Sequence, residues 1–196
     1  MNQNLDLFRQ VEEACLQCDE CPLCETRRHV VFGCGNPKAP IMLIGEGPGE
    51  QEDLQGEPFV GAAGKLLDDM LTLIGLDRTK LYICNIVKCR PPRNRDPLRT
   101  EQEACRHWLD AQIQLIDPDI ILCLGRVAAN ALIKPDFRIT REHGQWFLRD
   151  HRRIMAIYHP SALLRDEQKR PETFADLREF RRVVRMSFPE LYPEEE

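Results

Sequence analysis

The chain has 196 residues, 42% of them hydrophobic and 30% charged, which suffices for a single domain with a substantial core over residues 1–196. No stretch reaches the roughly 18 apolar residues of a membrane-spanning helix and the N-terminus lacks a secretion signal, so we expect a cytoplasmic protein with no membrane contact. The formal net charge of −5 argues weakly against nucleic-acid binding, because phosphate binders are usually basic overall.

Hydrophobic periodicity predicts strands and helices that alternate along the chain. In chain order these are a helix over residues 5–16, a strand over 41–44, a helix over 62–74, a strand over 81–87, a helix over 100–116 with the capping box TEQE, a strand over 120–124, a helix over 127–133, a hairpin of 145–148 with 153–158, and a helix over 172–186. Such alternation predicts an α/β fold, with a mostly parallel sheet of about four strands flanked by helices on both faces. Residues 189–196 read as a frayed acidic tail.

Three loops leave the carboxyl ends of predicted strands, which is the edge where open α/β sheets bind ligands. They carry Glu46, Asn85 and His159, so we expect the chemistry among these side chains. The first loop, GEGPGEQEDLQGEPFVGAAGK, is not a triphosphate loop, because Phe59 and Leu66 stand where that motif needs Gly and Ser or Thr. Its acidic side chains suit a neutral or cationic ligand, or a water molecule that must be oriented.

Nine cysteines in a chain expected in a reducing compartment indicate metal binding rather than disulfides. Four of them form a ladder of C-x-x-C steps in the segment 15–24, and two more are distant, at Cys89 and Cys105. Thiolates divided in this way close an iron–sulfur or soft-metal site only if the fold brings the two groups together. Zinc is the chemical alternative, since tetrahedral sulfur ligation suits it equally. Three cysteines lie in or beside apolar runs and read as plain buried thiols: Cys34, Cys84 and Cys123.

The segment KCRPPRNRDPLR, residues 88–99, carries five cations against one acid. A local basic loop on an acidic protein can contact a phosphate backbone, although a solvated surface loop is the simpler interpretation. The basic helix predicted over 172–186 is interpreted as a solvated face.

The segments GEGPGEQEDLQGEPFVGAAGKLL, YICNIVKCRPPRNRDP and YHPSALLR, with C-x-x-C ahead of VVFGCGNP, closely resemble the family 4 (thermophilic-type) uracil-DNA glycosylases, which carry a 4Fe-4S cluster. The resemblance extends from Cys18 to Arg165, in order and with compatible spacing. It implies the three-layer fold of that superfamily and a monomer that acts on uracil-containing DNA in base excision repair. The implied reaction hydrolyses the bond between uracil and deoxyribose, releasing uracil and leaving an abasic site.

The resemblance also implies a role for each motif residue. Phe59 would stack on a flipped uracil, and Asn85 would accept from N3–H while donating to O4. Glu46 would position water or stabilise the cationic sugar, and His159 would donate toward uracil O2. Gly47 and Glu52 are further uracil-pocket residues, with Glu52 as a wall near C5. The implied DNA contacts are Arg90, Arg93, Arg95, Leu163 and Arg165, with the last two in a loop that pushes into the duplex.

For the cluster, the resemblance implies the ligands Cys18, Cys21, Cys89 and Cys105. Because the ladder is continuous, Cys15 or Cys24 can substitute in the first pair. The loop KCRPPRNRDP contains no histidine, whereas relatives that bind uracil covalently use one there, so ordinary hydrolysis is expected. Two alternatives remain: a DNA-binding module that has lost turnover, and an iron–sulfur electron carrier.

Overall fold

The computed structural model describes residues 3–192 of the chain. Within them, one sheet contains the strands β1 Cys34–Gly35, β2 Ile41–Gly45, β3 Tyr82–Asn85, β4 Ile120–Leu124, β5 Trp146–Arg149 and β6 Arg152–Ile157. The α-helices are α1 Gln3–Leu16, α2 Glu50–Gln55, α3 Ala62–Leu73, α4 Arg99–Ile116, α5 Arg126–Leu132, α6 Ile139–Glu142, α7 Pro160–Arg165 and α8 Arg170–Ser187. None of these helices is long and apolar enough to cross a membrane.

The strand order in the sheet is β1-β3-β2-β4-β6-β5. The four central strands are mutually parallel, and the two edge strands run antiparallel to their neighbours. The predicted α/β class, its parallel strands and the hairpin of β5 with β6 are therefore confirmed. The prediction missed β1, because a strand of two residues is too short to show any periodicity.

Helices cover both faces of the sheet, which explains why β2 and β4 read as unbroken apolar runs. On one face, residues of α1, α4 and α5 pack in a core that includes Phe8, Leu109 and Val127. On the other, α3 and α8 contribute Leu67 and Phe180. The packing of α1 against α4 also brings the cysteine ladder toward Cys105.

The start of α4 differs from the predicted capping box. The N-cap residue is Leu98, and its N–H donates to Glu101 Oε2 over 2.7 Å. Glu101 is 3% exposed and also pairs with Arg95 at 2.6 Å. The predicted box, TEQE at residues 100–103, begins two residues after the observed N-cap Leu98, because the pairing of Glu101 with Arg95 is not visible in the local pattern.

The predicted frayed tail is wrong for its first residues. Pro189–Leu191 forms a short 3-10 turn, and the Tyr192 ring lies 5.9 Å from the guanidinium groups of Arg181 and Arg185. Residues 193–196 lie outside the described part of the chain.

Candidate active site and cysteine cavity

A cleft of about 550 Å³ opens at the carboxyl edge of the sheet, a size typical of small-molecule pockets. The loops that follow β2, β3, β4 and β6 form its walls. Glu46, Asn85 and His159 all line it, so the fold brings together the three strand-end residues that the sequence singled out. The cleft wall also includes the predicted pocket residues Gly47, Glu52 and Phe59.

Asn85 is the last residue of β3, in register with Gly45 at the end of β2. Its side chain is 2% exposed, and Oδ1 has no hydrogen-bond partner among residues 3–192. A Cβ on Gly45 would lie 2.4 Å from that oxygen, so only glycine leaves room for the amide. A buried amide oxygen without a donor is costly, so this one is available to accept a hydrogen bond from a ligand N–H in the cleft.

The Phe59 ring lies beside His159, with ring centroids 5.6 Å apart and planes inclined at 29°. Phe59 is 5% exposed and has a φ of 55°, a left-handed conformation that is strained for an aromatic residue. In this conformation the ring lies in the cleft wall beside Gly45, where a Cβ would lie 2.6 Å from Phe59 Cζ as well as next to the Asn85 amide oxygen.

Arg78, which is not among the predicted site residues, fixes the backbone conformation of Phe59. Its Nη1 donates to the carbonyl of Pro58 over 2.9 Å, and its Nη2 donates to the carbonyl of Phe59. Nε pairs with Asp68 at 2.7 Å. At Gly64 a Cβ would lie 1.7 Å from the Phe59 carbonyl oxygen, so the loop also requires glycine there. No local pattern marks Arg78, because its partners are far away in the chain.

Glu52 lines the cleft and also organises the loop around it. Its Oε2 accepts from Gly49 N–H at 3.1 Å, and its Oε1 accepts from the N–H groups of Val60 and Gly61 at 2.9 and 2.8 Å. Both carboxylate oxygens therefore bind backbone. The predicted contact with uracil C5 stays a prediction.

His159 is the N-cap of α7 and has a defined tautomer. Its Nδ1 accepts from Ser161 N–H at 3.1 Å and lies 2.8 Å from Ser161 Oγ, so the ring proton is on Nε2. Burial, together with the positive charge of Arg165, lowers the pKa of His159 to about 4. The imidazole is thus neutral near pH 7 and offers Nε2–H as a donor.

Glu46 is half-buried at the end of β2, and its environment favours the protonated carboxyl. Burial, with a smaller contribution from the charge of Asp96, raises the pKa of Glu46 to about 7. Arg126 and Arg165 act in the opposite sense. Arg126 also pairs with Asp96 at 2.7 Å, which places two cations and a second carboxylate beside Glu46.

The three arginines of the basic loop that are predicted to contact DNA differ in their side-chain partners. Arg95 pairs with Glu101, and Arg90 Nε donates to Asn94 Oδ1 at 2.8 Å. Arg93 is exposed, with a φ of 57°, and forms no ion pair with any residue of the range 3–192. Arg93 is therefore the cation of this loop that is best placed to meet a phosphate.

The predicted loop position of Leu163 is wrong, and its insertion into DNA stays a prediction that its burial does not favour. Leu163 lies in helix α7 rather than in a loop, and it is 2% exposed because α7 turns this side chain into the core beside α3. The adjacent Leu164 is 43% exposed. Arg165 lines the cleft, and its predicted contact with DNA stays a prediction.

A second, narrow cavity lies between α1 and α4. Five thiols line it, those of Cys15, Cys18, Cys21, Cys89 and Cys105, while Cys24 is absent from its wall. Three N–H donors point at sulfur atoms: Trp108 Nε1 lies 3.3 Å from Cys18 Sγ, Arg27 Nη1 lies 3.4 Å from Cys89 Sγ, and Lys88 N lies 3.3 Å from Cys105 Sγ. All nine cysteines are free thiols, as the prediction against disulfides requires.

The pKa of Cys89 is raised to about 12 and that of Cys105 to about 11, chiefly by burial. The charge of Arg27 opposes the rise at Cys89, and the charge of Lys88 opposes it at Cys105. Within residues 3–192, no group of three or more His, Cys, Asp or Glu side chains is placed to hold a metal ion. Of the three cysteines predicted as buried thiols, Cys84 and Cys123 are fully buried, and Cys34 is half-buried beside Arg78.

Comparison with known proteins agrees with this geometry. A family model for the uracil DNA glycosylase superfamily matches residues 32–183, which include every loop of the cleft. The fold and the cleft therefore define a member of that superfamily.

Three curated relatives narrow the assignment. The chain is 42% identical over 195 residues to the type-4 uracil-DNA glycosylase of Archaeoglobus fulgidus, covering 95% of this chain and 96% of the relative. It is 42% identical over 183 residues to that of Thermotoga maritima, covering 91% and 90%. It is 39% identical over 189 residues to that of Sulfurisphaera tokodaii, covering 92% and 86%. The chain belongs to the type-4 uracil-DNA glycosylase family, which confirms the resemblance seen in the motifs.

Proposed function

We propose that this protein is a DNA repair enzyme that hydrolyses the N-glycosidic bond of uracil in DNA, releasing uracil and leaving an abasic site. The observation that carries the proposal is the buried, unpartnered Oδ1 of Asn85 in the wall of the cleft. That oxygen accepts N3–H of uracil while the amide nitrogen donates to O4. Cytosine presents the opposite pattern and would leave the amide unpaired.

The position of this amide requires the base to leave the DNA stack. A base within a duplex cannot reach a side chain that is 2% exposed, so the nucleotide must flip, at a cost of roughly a few kcal/mol. The Phe59 ring supplies a stacking surface that offsets part of this cost. Because Arg78 and Gly64 hold Phe59, that surface is formed before the substrate binds.

The neutral His159 serves the departing uracil. As the bond between C1′ and N1 breaks, its electron pair moves into the uracil ring and negative charge develops at O2. The Nε2–H of His159 donates to that oxygen, and the donation is stronger in the transition state than in the ground state. The contact of Ser161 with Nδ1 keeps the proton on the correct nitrogen.

Glu46 serves the sugar side of the reaction. Its carboxylate stabilises the positive charge that develops at C1′ and takes a proton from the attacking water, whose oxygen forms the new bond to C1′. A pKa of about 7 suits a general base at neutral pH. Arg126 and Arg165 lie beside the same carboxylate and are placed to meet the flanking phosphates.

We also propose that the cysteine cavity holds a 4Fe-4S cluster, bound by Cys18, Cys21, Cys89 and Cys105. The support is the five-thiol wall of the cavity and the N–H donors directed at three of its sulfurs, which suit thiolate acceptors. Zinc bound by the same four thiolates stays the chemical alternative, since tetrahedral sulfur ligation suits both. When bound, the cluster would supply a covalent tie between α1, the basic loop and α4.

The deciding experiment is cleavage of a labelled oligonucleotide carrying one uracil opposite guanine, followed by alkali to break abasic sites. We expect cleavage at the uracil position with the wild type and a loss of at least about 100-fold in Asn85→Ala and His159→Ala. His151→Ala is the control, because His151 is an exposed histidine away from the cleft. A folded wild type that gives no cleavage would favour a DNA-binding module without turnover.

A further inference from the structure

Lys88 is a cationic side chain within the core, 1% exposed, between the cleft and the cysteine cavity. In the sequence it is the first of the five cations of the basic segment 88–99. Its burial removes it from any contact with DNA phosphates. A buried lysine is retained only when its donors are satisfied and its charge is balanced, so its partners indicate what it does.

One partner of Lys88 is the main chain of the residue that faces uracil. Lys88 Nζ donates to the carbonyl oxygen of Asn85 at 2.8 Å. The pairing of β3 with the edge strand β1 ends at Ile83, so the Asn85 carbonyl has no strand neighbour on that side. The Lys88 ammonium group therefore supplies the hydrogen-bond donor that a neighbouring strand would otherwise provide to this carbonyl oxygen.

The other partner lies on α4. Lys88 Nζ donates to Gln112 Oε1 at 2.5 Å, and the ammonium group lies 5.9 Å from the centre of the Phe32 ring. Gln112 is completely buried, and its amide nitrogen donates to the carbonyl of Phe32 at 2.9 Å and to the hydroxyl of Tyr82 at 3.2 Å. The Lys88 ammonium thereby joins the end of β3 to a fixed point of α4.

The charge of Lys88 lies next to the cysteine cavity. No carboxylate pairs with Lys88 within residues 3–192, and both of its Nζ partners are amide oxygens. Burial raises the pKa of the Cys15 and Cys105 thiols in that cavity, and the nearby lysine charge acts in the opposite sense. The Lys88 N–H also donates to Cys105 Sγ, so one residue contacts both sites.

We propose that Lys88 is a positioning residue that holds Asn85 in the conformation that reads uracil, by clamping the Asn85 carbonyl to Gln112 of α4. The proposal rests on the proposed function, since it assigns a support to the uracil-reading amide. Without the clamp, the end of β3 moves and the Asn85 side chain no longer meets N3–H and O4 together. Contacts of the cleft with the DNA backbone do not depend on the clamp.

The test compares Lys88→Met, which keeps the volume and removes the donor, with the wild type. We expect the single-turnover rate of uracil release to fall about 10- to 100-fold, the value of a hydrogen bond to a charged group. Inhibition by free uracil should weaken by a similar factor. Affinity for an oligonucleotide with an abasic site should stay within about twofold, because that ligand has no base for Asn85 to read.

Two variants of Gln112 keep the test valid if Lys88→Met does not fold. Gln112→Glu retains an acceptor for Nζ, whereas Gln112→Leu removes it, and both lose the amide donor to Phe32 and Tyr82. We expect weakened uracil inhibition in the Leu variant and a smaller change in the Glu variant. Near-UV circular dichroism establishes that each variant is folded.

The proposal is overturned if folded Lys88→Met retains wild-type uracil inhibition and rate. It is also overturned if affinity for uracil and for abasic DNA fall by the same factor, since a general loss of structure predicts that result. Failure of the proposed function is distinguishable, because the wild type itself would then neither release uracil nor be inhibited by it.

Discussion

Glu46 and His159 face one cleft, yet their environments shift their pKa values in opposite directions. Burial disfavours the charged form of each, so the carboxyl of Glu46 keeps its proton up to about pH 7 and the imidazole of His159 stays neutral down to about pH 4. A pair of groups separated in this way can take different roles at one pH. In the proposed reaction, the neutral histidine serves as donor, and the carboxylate acts once pH exceeds about 7.

The raised pKa of Glu46 predicts a stability that depends on pH. Its folded value of about 7 exceeds the ordinary 4.5, so its contribution is fully present below about pH 4.5 and is lost as pH rises through about 7. Glu46→Gln cannot ionise, and we expect it to exceed the wild type in unfolding free energy by about 1–2 kcal/mol at pH 8. Near pH 4.5 the difference should vanish, as urea denaturation at the two pH values will show.

The same variant should lose activity because it lacks the carboxylate. The wild-type kcat/KM should rise as pH increases through about 7, and the Gln variant should show no such rise. Glu57→Gln, an exposed carboxylate between α2 and α3 that does not line the cleft, is the control. Equal stability differences at both pH values would contradict the assigned titration.

At the scale of elements, the packing of α1 against α4 resolves most of the ambiguity in the cysteine ladder. Helix α1 carries Cys15 to the cavity, the following turns carry Cys18 and Cys21, and the next step of the ladder turns away. Cys24 Sγ instead lies 3.8 Å from the carbonyl oxygen of Asp19. Cys24 therefore lies outside the cavity wall, whereas Cys15 is a fifth thiol within it, and the choice of the first two ligands stays a prediction.

Substitution of single cysteines tests that arrangement. We expect Cys89→Ala and Cys105→Ala to lose the iron and the visible absorbance of the cluster, because each removes a ligand from the more rigid half of the site. Cys24→Ala should keep the wild-type iron content, which makes it the matched control. Iron analysis and absorption spectra of anaerobically purified protein are the measurements. Stoichiometric zinc in a colourless wild type, or equal iron loss in all three variants, would contradict the ligand set.

At the scale of the whole molecule, charge is distributed unevenly. The chain has a formal net charge of −5, yet Arg93, Arg126 and Arg165 stand around the mouth of the cleft or on the loop beside it. A local cationic rim can bind a phosphate backbone while the acidic remainder repels it. Affinity for DNA should consequently depend strongly on salt.

Arg93→Ala is the sharpest test of that rim, because Arg93 is exposed and has no ion pair to lose among the described residues. We expect the slope of log K against log salt to shrink by about 0.9 for duplex DNA, the value of one phosphate contact. Thermal stability should be unchanged. Arg178→Ala, on the exposed face of α8, is the control and should leave the slope unaltered. An unaltered slope in Arg93→Ala would show that Arg93 does not contact a DNA phosphate.

Much of the fold and of the candidate site could be predicted from the sequence by itself, because the patterns that indicate them are local. Apolar runs that end in glycine or asparagine placed the parallel strands and assigned Glu46, Asn85 and His159 to one edge of the sheet. The motifs around them identified the family. Local signals of this kind need no knowledge of what packs where, since strand periodicity and strand-end loops are properties of short segments.

Only the tertiary structure decided which distant residues support those side chains. Arg78 holds Phe59 from 19 residues away, and Lys88 meets Gln112 across 24 residues. The burial of Leu163 and the separation of Cys15 from Cys24 depend on which face of a short helix meets its neighbour. Such contacts join segments that are remote in the chain, so no local pattern contains them, and they exist only once the sheet and its helices have packed.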